Sequence, residues 1–428
     1  MSYPPIQTRH PVLGVAVRAE PMVTVPVIAA WLGSLICLLM FSQGWEAPLT
    51  GYKPNAADSA ILRNAFLPVY GVVIVMLAAR AGDLPKLALR EPLVLALLGL
   101  AALSTLWSVD PSATTRRVVA LAFTTLAGMA IAQRWSWRAL AELIGTSFAF
   151  WGVISFALGV AKPDWGRMSE LFPGAWRGVW LEKNALGGLM SVAALIQVVA
   201  AIYVPRRRLL WLGFAALSLG LVLLSQSKTS LVSLVLGLGV IFACWIAQRG
   251  PAIAIALVWG SVTLVAVAAA VLVIAPDLLF NLLGKDATLT GRTVLWAAAL
   301  HQLESHKWLG FGYGVVWDYK SDWSPGAWIS HDAHFKAGHA HNGWLETALS
   351  LGIVGLSVWV LYFLQVCGRA VKMFFTSPGA LLALPFLVVY TIRTITESEV
   401  LQYHNIEWTL FVLLATKMAS TRQEDFPN

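Results

Sequence analysis

An all-α polytopic membrane protein, with about twelve transmembrane helices and one large outward loop containing short helices, is the fold this sequence predicts. Three observations predict it. Hydrophobic residues make up 58% of the chain and charged residues only 12%, about half the charged share of a soluble domain. Apolar runs approach or exceed the roughly 20 residues a helix needs to cross the hydrocarbon core. These runs are continuous and do not alternate in polarity, which selects helices over barrel strands.

In chain order the runs fall at 23–42, 64–80, 92–107, 116–133, 138–160, 184–204, 208–225, 229–248, 251–275, 342–366, 378–393 and 405–420. The opening MSYPPIQTRH has no cleavable signal pattern, so the first run is expected to stay as a helix behind a tail of residues 1–22. Short, almost purely basic loops then alternate with longer loops of mixed sign. The basic set comprises Arg80, Lys86 and Arg90; Arg134 and Arg138; Arg206, Arg207 and Arg208; Arg249; and Arg369 and Lys372. Placed inside, these loops put both termini in the cytoplasm, the C-terminal tail being 421–428. Nine helices then occupy 23–275 and three occupy 342–420, and the loop 276–341 faces outward.

The net charge of +8 is spread over those loops, a pattern of membrane orientation and not a nucleic-acid patch. Cys37, Cys244 and Cys367 lie within or beside apolar runs, and no CxxC or zinc spacing occurs, so a disulfide framework is not expected. The sequence shows no internal repeat, low-complexity tract or second soluble domain. A loop of this length usually carries function or its own structure. Within it, TLTGRTVLWAAALHQLESH reads as a helix capped by Thr290, with Leu295, Ala298, Ala299 and Leu303 as its apolar stripe and Gly310, Gly312 and Gly314 beyond its end.

Polar chemistry concentrates at the outward ends of the helices. His331, His334, His339 and His341 crowd into HFKAGHAHNGWLETALSLGIVG and the residues just before it, and Asn342 is placed to cap the next helix. Ala348, Gly352 and Gly355 offer that helix a small face for a neighbour. The histidines admit three readings: a solvated loop, a metal site through their His-x-His and His-x-x-His spacings, or proton transfer. No HExxH accompanies them, and no metal is expected.

GVWLEKNALGG sets Lys183 and Asn184 at a helix start, where a lysine also snorkels to headgroups as a matter of course. SQSKTSL surrounds Lys228 with hydroxyls in a tight turn, as an anionic ligand requires. Arg292 opens the loop helix, where its guanidinium and the first amides suit a phosphate. Arg177 lies in GAWRGVW. In RTITESE, Arg393 and Glu397 stand one helical turn apart, the spacing of an intrahelical ion pair. Cations gathered on one membrane face beside histidines suit a lipid-linked pyrophosphate, and the tryptophans of the outer loops suit sugar faces.

His341-Asn342, nine residues, then Gly352-x-x-Gly355 is similar to the signature of the O-antigen ligase and polymerase superfamily, the Wzy/WaaL type. WSVDPSATTRR, EKNALG, SQSKTSL and LGKDATLTGRTVLW resemble its ExoQ-like exopolysaccharide polymerases, and they fall in family order from about residue 104 to 355. The resemblance implies a GT-C-type, inverting, metal-independent glycosyltransferase without cofactor, working at the periplasmic face of the bacterial inner membrane. It implies undecaprenyl-pyrophosphate-linked oligosaccharide as donor and a glycan hydroxyl as acceptor. A chain-length copolymerase and a flippase would be its protein partners.

On that resemblance, His341 would deprotonate the acceptor and Arg292, Lys183 and Lys228 would hold the pyrophosphate. Arg177 and Arg393 would assist, with His339, Asn342 and Glu397 positioning the acceptor. Ligases of the family commonly use arginines where this chain has Lys183 and Lys228, and lysine lacks the bidentate fork, which favours the polymerase branch. A ligase acting on lipid A core, a lipid-linked oligosaccharide transporter and a metal-dependent hydrolase are the competing expectations.

Overall fold

Every one of the twelve apolar runs folds as a helix, because in a chain with so few charges backbone hydrogen bonds are best satisfied within each segment. The structure, a computed structural model, describes residues 24–52, 60–169, 172–247, 249–274, 291–319 and 324–420. The tails 1–22 and 421–428, the loop start 276–290 and its Thr290 cap lie outside the described residues.

Besides the short helical turns Glu46–Thr50, Leu84–Arg90 and Pro163–Gly166, the helices are α1 Val25–Phe41, α2 Ala60–Ala78, α3 Pro92–Leu103, α4 Pro111–Arg134, α5 Trp137–Ala161 and α6 Lys183–Tyr203. Next come α7 Arg208–Leu224, α8 Lys228–Ala247, α9 Pro251–Ile274, α10 Arg292–Leu303 and α11 Pro325–Ala333. The last three are α12 Gly343–Thr376, α13 Ala380–Thr396 and α14 Ile406–Ser420. No strand occurs among the described residues, only one bridge between Arg167 and Trp176.

Among the described residues seven helices are long and apolar enough to cross a membrane, or eight if Ala81–Arg90 and Pro92–Leu106, bent by 92°, form one broken span. Taken by itself α3 is short, its 12 residues rising only about 18 Å.

α6 is almost wholly buried and packs against α5, α7, α8 and α13. α14 is buried from Ile406 to Met418 and packs mainly on α4. The outer faces remain apolar: Val235, Phe242, Leu361 and Leu364 are 55–60% exposed, as expected where lipid replaces water. At the helix ends remote from Asn342, Arg80 donates to the Gln133 carbonyl (2.7 Å), Arg207 pairs with Glu142 (3.1 Å) and Arg369 with buried Glu91 (2.5 Å). These basic loops thus gather at the end away from the histidines.

Candidate active site

The site is organised by a break in α12. Gly352 adopts φ 67°, ψ −169°, a conformation essentially reserved for glycine, and a Cβ there would lie 2.1 Å from the Trp308 carbonyl oxygen. The break releases backbone groups that the loop after α10 takes up. Leu349 and Ser350 carbonyls accept from the Phe311 (2.9 Å) and Gly312 (3.1 Å) amides, while the Ile353 and Val354 amides donate to Lys307 (2.7 Å) and Trp308 (3.3 Å). The expected small face for a neighbouring helix is therefore corrected at Gly352, whose contact is loop backbone.

The same loop is braced by Ser104 and by the WSVDPSATTRR stretch that follows it. The Val109 amide donates to Phe311 (3.0 Å), the Ser104 hydroxyl accepts from the Tyr313 amide (3.0 Å) and Arg117 donates to the Gly314 carbonyl (2.6 Å). α10 sits on this platform through its predicted stripe: Leu295, Ala298, Ala299 and Leu303 are all buried, in one cluster with Ile329 of α11 and Leu349 of α12. Gly291, in the left-handed region at φ 85°, occupies the cap position of α10. Trp296 donates to the Ala340 carbonyl (2.8 Å), tying α10 to the histidine segment.

Asn342 caps α12 as expected, its side-chain oxygen accepting from the Trp344 (3.0 Å) and Leu345 (3.2 Å) amides. His341 precedes it in the left-handed region, φ 51°, which few non-glycine residues adopt. Its Nδ1 lies 2.9 Å from Glu397 Oε2, and the other carboxylate oxygen of Glu397 lies 3.5 Å from Arg292. The His339 ring is 3.8 Å from the His341 ring, and His339 Nδ1 accepts from the His341 amide (3.3 Å).

Burial first, and then the neighbouring His341, pushes the His339 pKa down to about 4, so at neutral pH His339 adds no charge beside His341. For Glu397, burial works to raise the pKa, but the His341 hydrogen bond and the charges of Arg393, His341 and Arg292 outweigh it and hold the carboxyl below its usual range. An ionised Glu397 fixes His341 with its Nδ1 proton facing the carboxylate, leaving Nε2 as the ring's acceptor.

Glu346, which the sequence reading did not single out, anchors this arrangement. It is 6% exposed and accepts from the Ala340 amide (2.7 Å), Trp317 Nε1 (2.8 and 2.9 Å) and the Ser398 hydroxyl (3.3 Å). Ser398 also meets His339 Nδ1 at 3.3 Å. The available signal was a carboxylate in the first turn of an apolar helix, where the helix dipole and free amides favour it.

The predicted Arg393–Glu397 pair gives way to another arrangement. α13 stops at Thr396, so Glu397 leaves the helix in an extended conformation and turns to His341. Arg393 instead pairs with Glu399 (2.6 Å) and with Glu407 of α14, and Asn405 donates to the second oxygen of Glu399 (2.8 Å). Arg393 also fills the space over Gly188: a Cβ there would sit 1.8 Å from its guanidinium. EKNALGG is therefore glycine-rich where α6 receives the arginine of α13.

EKNALGG and SQSKTSL face each other across a narrow crevice lined by Asn184, Ser227, Thr229, Ser230, Arg393 and Glu397. The Ser227 hydroxyl donates to Asn184 (3.1 Å) and Ser230 to Ser227 (2.8 Å). Lys183 donates to the Gln226 carbonyl (3.4 Å), and the Lys228 charge acts on it. The structure thus brings His339, His341, Asn342, Arg292, Arg393 and Glu397 to one place, and Lys183 and Lys228 open α6 and α8 next to the crevice-lining Asn184 and Thr229. Arg177 stands apart, donating to the Trp165 (2.8 Å) and Asp164 (3.0 Å) carbonyls and lying over Tyr52. His331 is 88% exposed, and His334 closes α11.

The arrangement can accept a proton at His341 Nε2 and counter charge through Arg292. His339, His341 and Glu397 also offer three ligand atoms within 4.8 Å of one another, which is metal-binding geometry, although Arg292 already places a positive charge on Glu397.

A family model described as O-antigen ligase matches residues 213–360, a stretch that includes Lys228, Arg292, His339, His341 and Gly352. The chain is 27% identical over 260 residues to the exopolysaccharide production protein ExoQ of Rhizobium meliloti (strain 1021), covering 58% of this chain and 59% of that protein. The chain therefore matches less than two thirds of that relative's length. These two matches bear out the likeness drawn from the ordered motifs: this multi-pass membrane protein is similar to the O-antigen ligase superfamily, including an ExoQ-type protein.

Proposed function

We propose that the chain is a metal-independent, inverting glycosyltransferase that polymerises undecaprenyl-pyrophosphate-linked oligosaccharide into exopolysaccharide or O-antigen. The observation that carries this reading is the single carboxylate of Glu397, joined to His341 at 2.9 Å on one oxygen and to Arg292 at 3.5 Å on the other. It couples a proton acceptor to a cation at one helix junction.

In the proposed step the acceptor hydroxyl gives its proton to His341 Nε2 and its oxygen attacks the anomeric carbon of the donor. The bond from that carbon to the pyrophosphate oxygen breaks, and the electron pair leaves on the phosphate. A single displacement inverts the centre. Arg292 meets the growing charge from one side and Lys183 and Lys228 from the other, while Asn342 and His339 hold the base in place. Arg393 keeps Glu399 and Glu407 neutralised behind Glu397, and Arg177 braces the Asp164–Trp165 turn.

The ExoQ-type relative and the two lysines support polymerisation over transfer to lipid A core. The three-ligand cluster of His339, His341 and Glu397 favours one rival, a metal-dependent hydrolase. Turnover of lipid-linked oligosaccharide by purified protein in nanodiscs, with and without a chelator, separates the two. Transfer that survives chelation supports the proposal, and release of free glycan only with metal present refutes it. Movement of intact donor across the bilayer without glycosidic bond formation would instead favour a transporter.

Arg292→Ala and Lys228→Ala are each expected to slow transfer roughly a hundredfold, the usual loss of about 3 kcal/mol for one preorganised charge contact. Normal donor binding and turnover in both variants would remove the pyrophosphate assignment. The proposed topology has twelve helices, cytoplasmic termini and a periplasmic loop 276–341. An alkaline phosphatase reporter fused after Pro325 should be active, and an inactive fusion with a cytoplasm-active counterpart at the same position would reverse the orientation.

A further inference from the structure

Next to the dyad lies a second space. A cavity of about 250 Å³ opens with His339 in its wall, between the 313–318 loop, the start of α12 and the 400–403 segment. Its volume falls below the roughly 300–1,000 Å³ of drug-sized ligand sites, and it admits one sugar ring but not a lipid-linked pyrophosphate.

The charges in its wall are already committed. Arg117 and Asp318 form a two-pronged pair, with both nitrogen–oxygen distances 2.9 Å, and Glu346 is held by Ala340, Trp317 and Ser398. An anion entering here would meet its nearest wall cation, Arg117, already held in that pair. What remains suits a neutral polyol. Trp317 supplies an aromatic ring for C–H surfaces, and Gln402 and Ser350 offer groups for hydroxyls. Tyr313, also in the wall, spends its hydroxyl on the Leu401 carbonyl at 2.5 Å and serves as structure.

On the strength of the transferase reading, we infer that this cavity is the acceptor subsite, holding the terminal hexose of the growing glycan. The His339 ring, 3.8 Å from that of His341, forms the boundary between it and the base. A ring lodged in the cavity presents its edge towards the dyad, while the pyrophosphate of the donor occupies the cationic side. Donor and acceptor thus reach His341 from two chemically different compartments.

Gly338 provides a clean test, since it lines the cavity and a Cβ at its position meets nothing within 4 Å. Wild type, Gly338→Ala and Gly338→Phe in nanodiscs are examined by saturation-transfer difference NMR with free D-glucose, D-galactose and D-mannose. Inorganic pyrophosphate is then added as competitor, and thermal melts verify folding. At least one hexose should bind wild type and Gly338→Ala, bind undiminished with pyrophosphate present, and lose its signal in Gly338→Phe at an unchanged melting temperature. No hexose binding to wild type, binding that survives Gly338→Phe, or displacement by pyrophosphate overturns the subsite. Should Gly338→Phe misfold, Gln402→Trp takes its place with the same expectation. Gly338-sensitive hexose binding in a wild type that transfers no glycan would sink the transferase reading alone.

Discussion

His341→Ala should give a protein that inserts, folds and binds lipid-linked donor but transfers glycan roughly a hundredfold or more slowly, the usual contribution of a positioned base. The separation of binding from rate is what the geometry demands. His341 contacts Glu397 through Nδ1 and His339 through its backbone amide, so the loss of the imidazole leaves the backbone contact and the Asn342 cap intact. Glu397→Gln should also lower the rate, because an amide in place of the carboxylate no longer fixes the Nδ1–H tautomer and no longer balances Arg292. Full chelation should leave wild type active. His331→Ala and His334→Ala should cost far less, as both side chains lie exposed beyond the cluster. His339→Ala should fall between, since its ring walls the base without joining the carboxylate. Four equally damaging histidine substitutions, together with chelator sensitivity, would mark the His339–His341–Glu397 group as a metal site and end the acid–base reading.

Much of this constellation was legible because it rests on local rules. Continuous apolar runs gave the helices, Asn342 announced its cap, and the α10 stripe followed from helical spacing. Where pairing depended on tertiary placement, sequence spacing misled. Arg393 and Glu397 stand at the correct interval for a helical pair, yet α13 ends between them and each finds partners elsewhere. Glu407 and Glu399 could not be assigned to Arg393 without knowing that α14 packs beside α13. Glu346 and the Arg117–Asp318 pair stayed hidden for the same reason, since the latter joins residues 201 positions apart. Apolar composition identifies a helix but does not by itself state whether its length suffices to cross a bilayer.

The spacing of the His341-Asn342 and Gly352-x-x-Gly355 elements acquires a mechanical reason, which the last prediction tests. Gly352→Ala should destabilise the protein by about 3 kcal/mol or more and remove most activity, without touching any group that contacts substrate. Two costs combine. The conformation at φ 67°, ψ −169° costs a residue with a Cβ about 1–3 kcal/mol by itself. The Cβ would also lie 2.1 Å from the Trp308 carbonyl oxygen, a backbone atom that cannot turn aside. Relief requires the 307–312 loop to withdraw, and with it go four backbone hydrogen bonds to α12 and the platform under α10. Arg292 then loses its position over Glu397, so the defect in folding and the defect in rate share one origin. Gly368→Ala, in the same helix but with open space at its Cβ, serves as the control and should be neutral or slightly stabilising. Thermal melts and transfer rates of the two variants in nanodiscs decide the matter. A Gly352→Ala protein that melts and turns over like wild type would mean that the break in α12 is dispensable, and that the nine-residue spacing from the histidine has another cause.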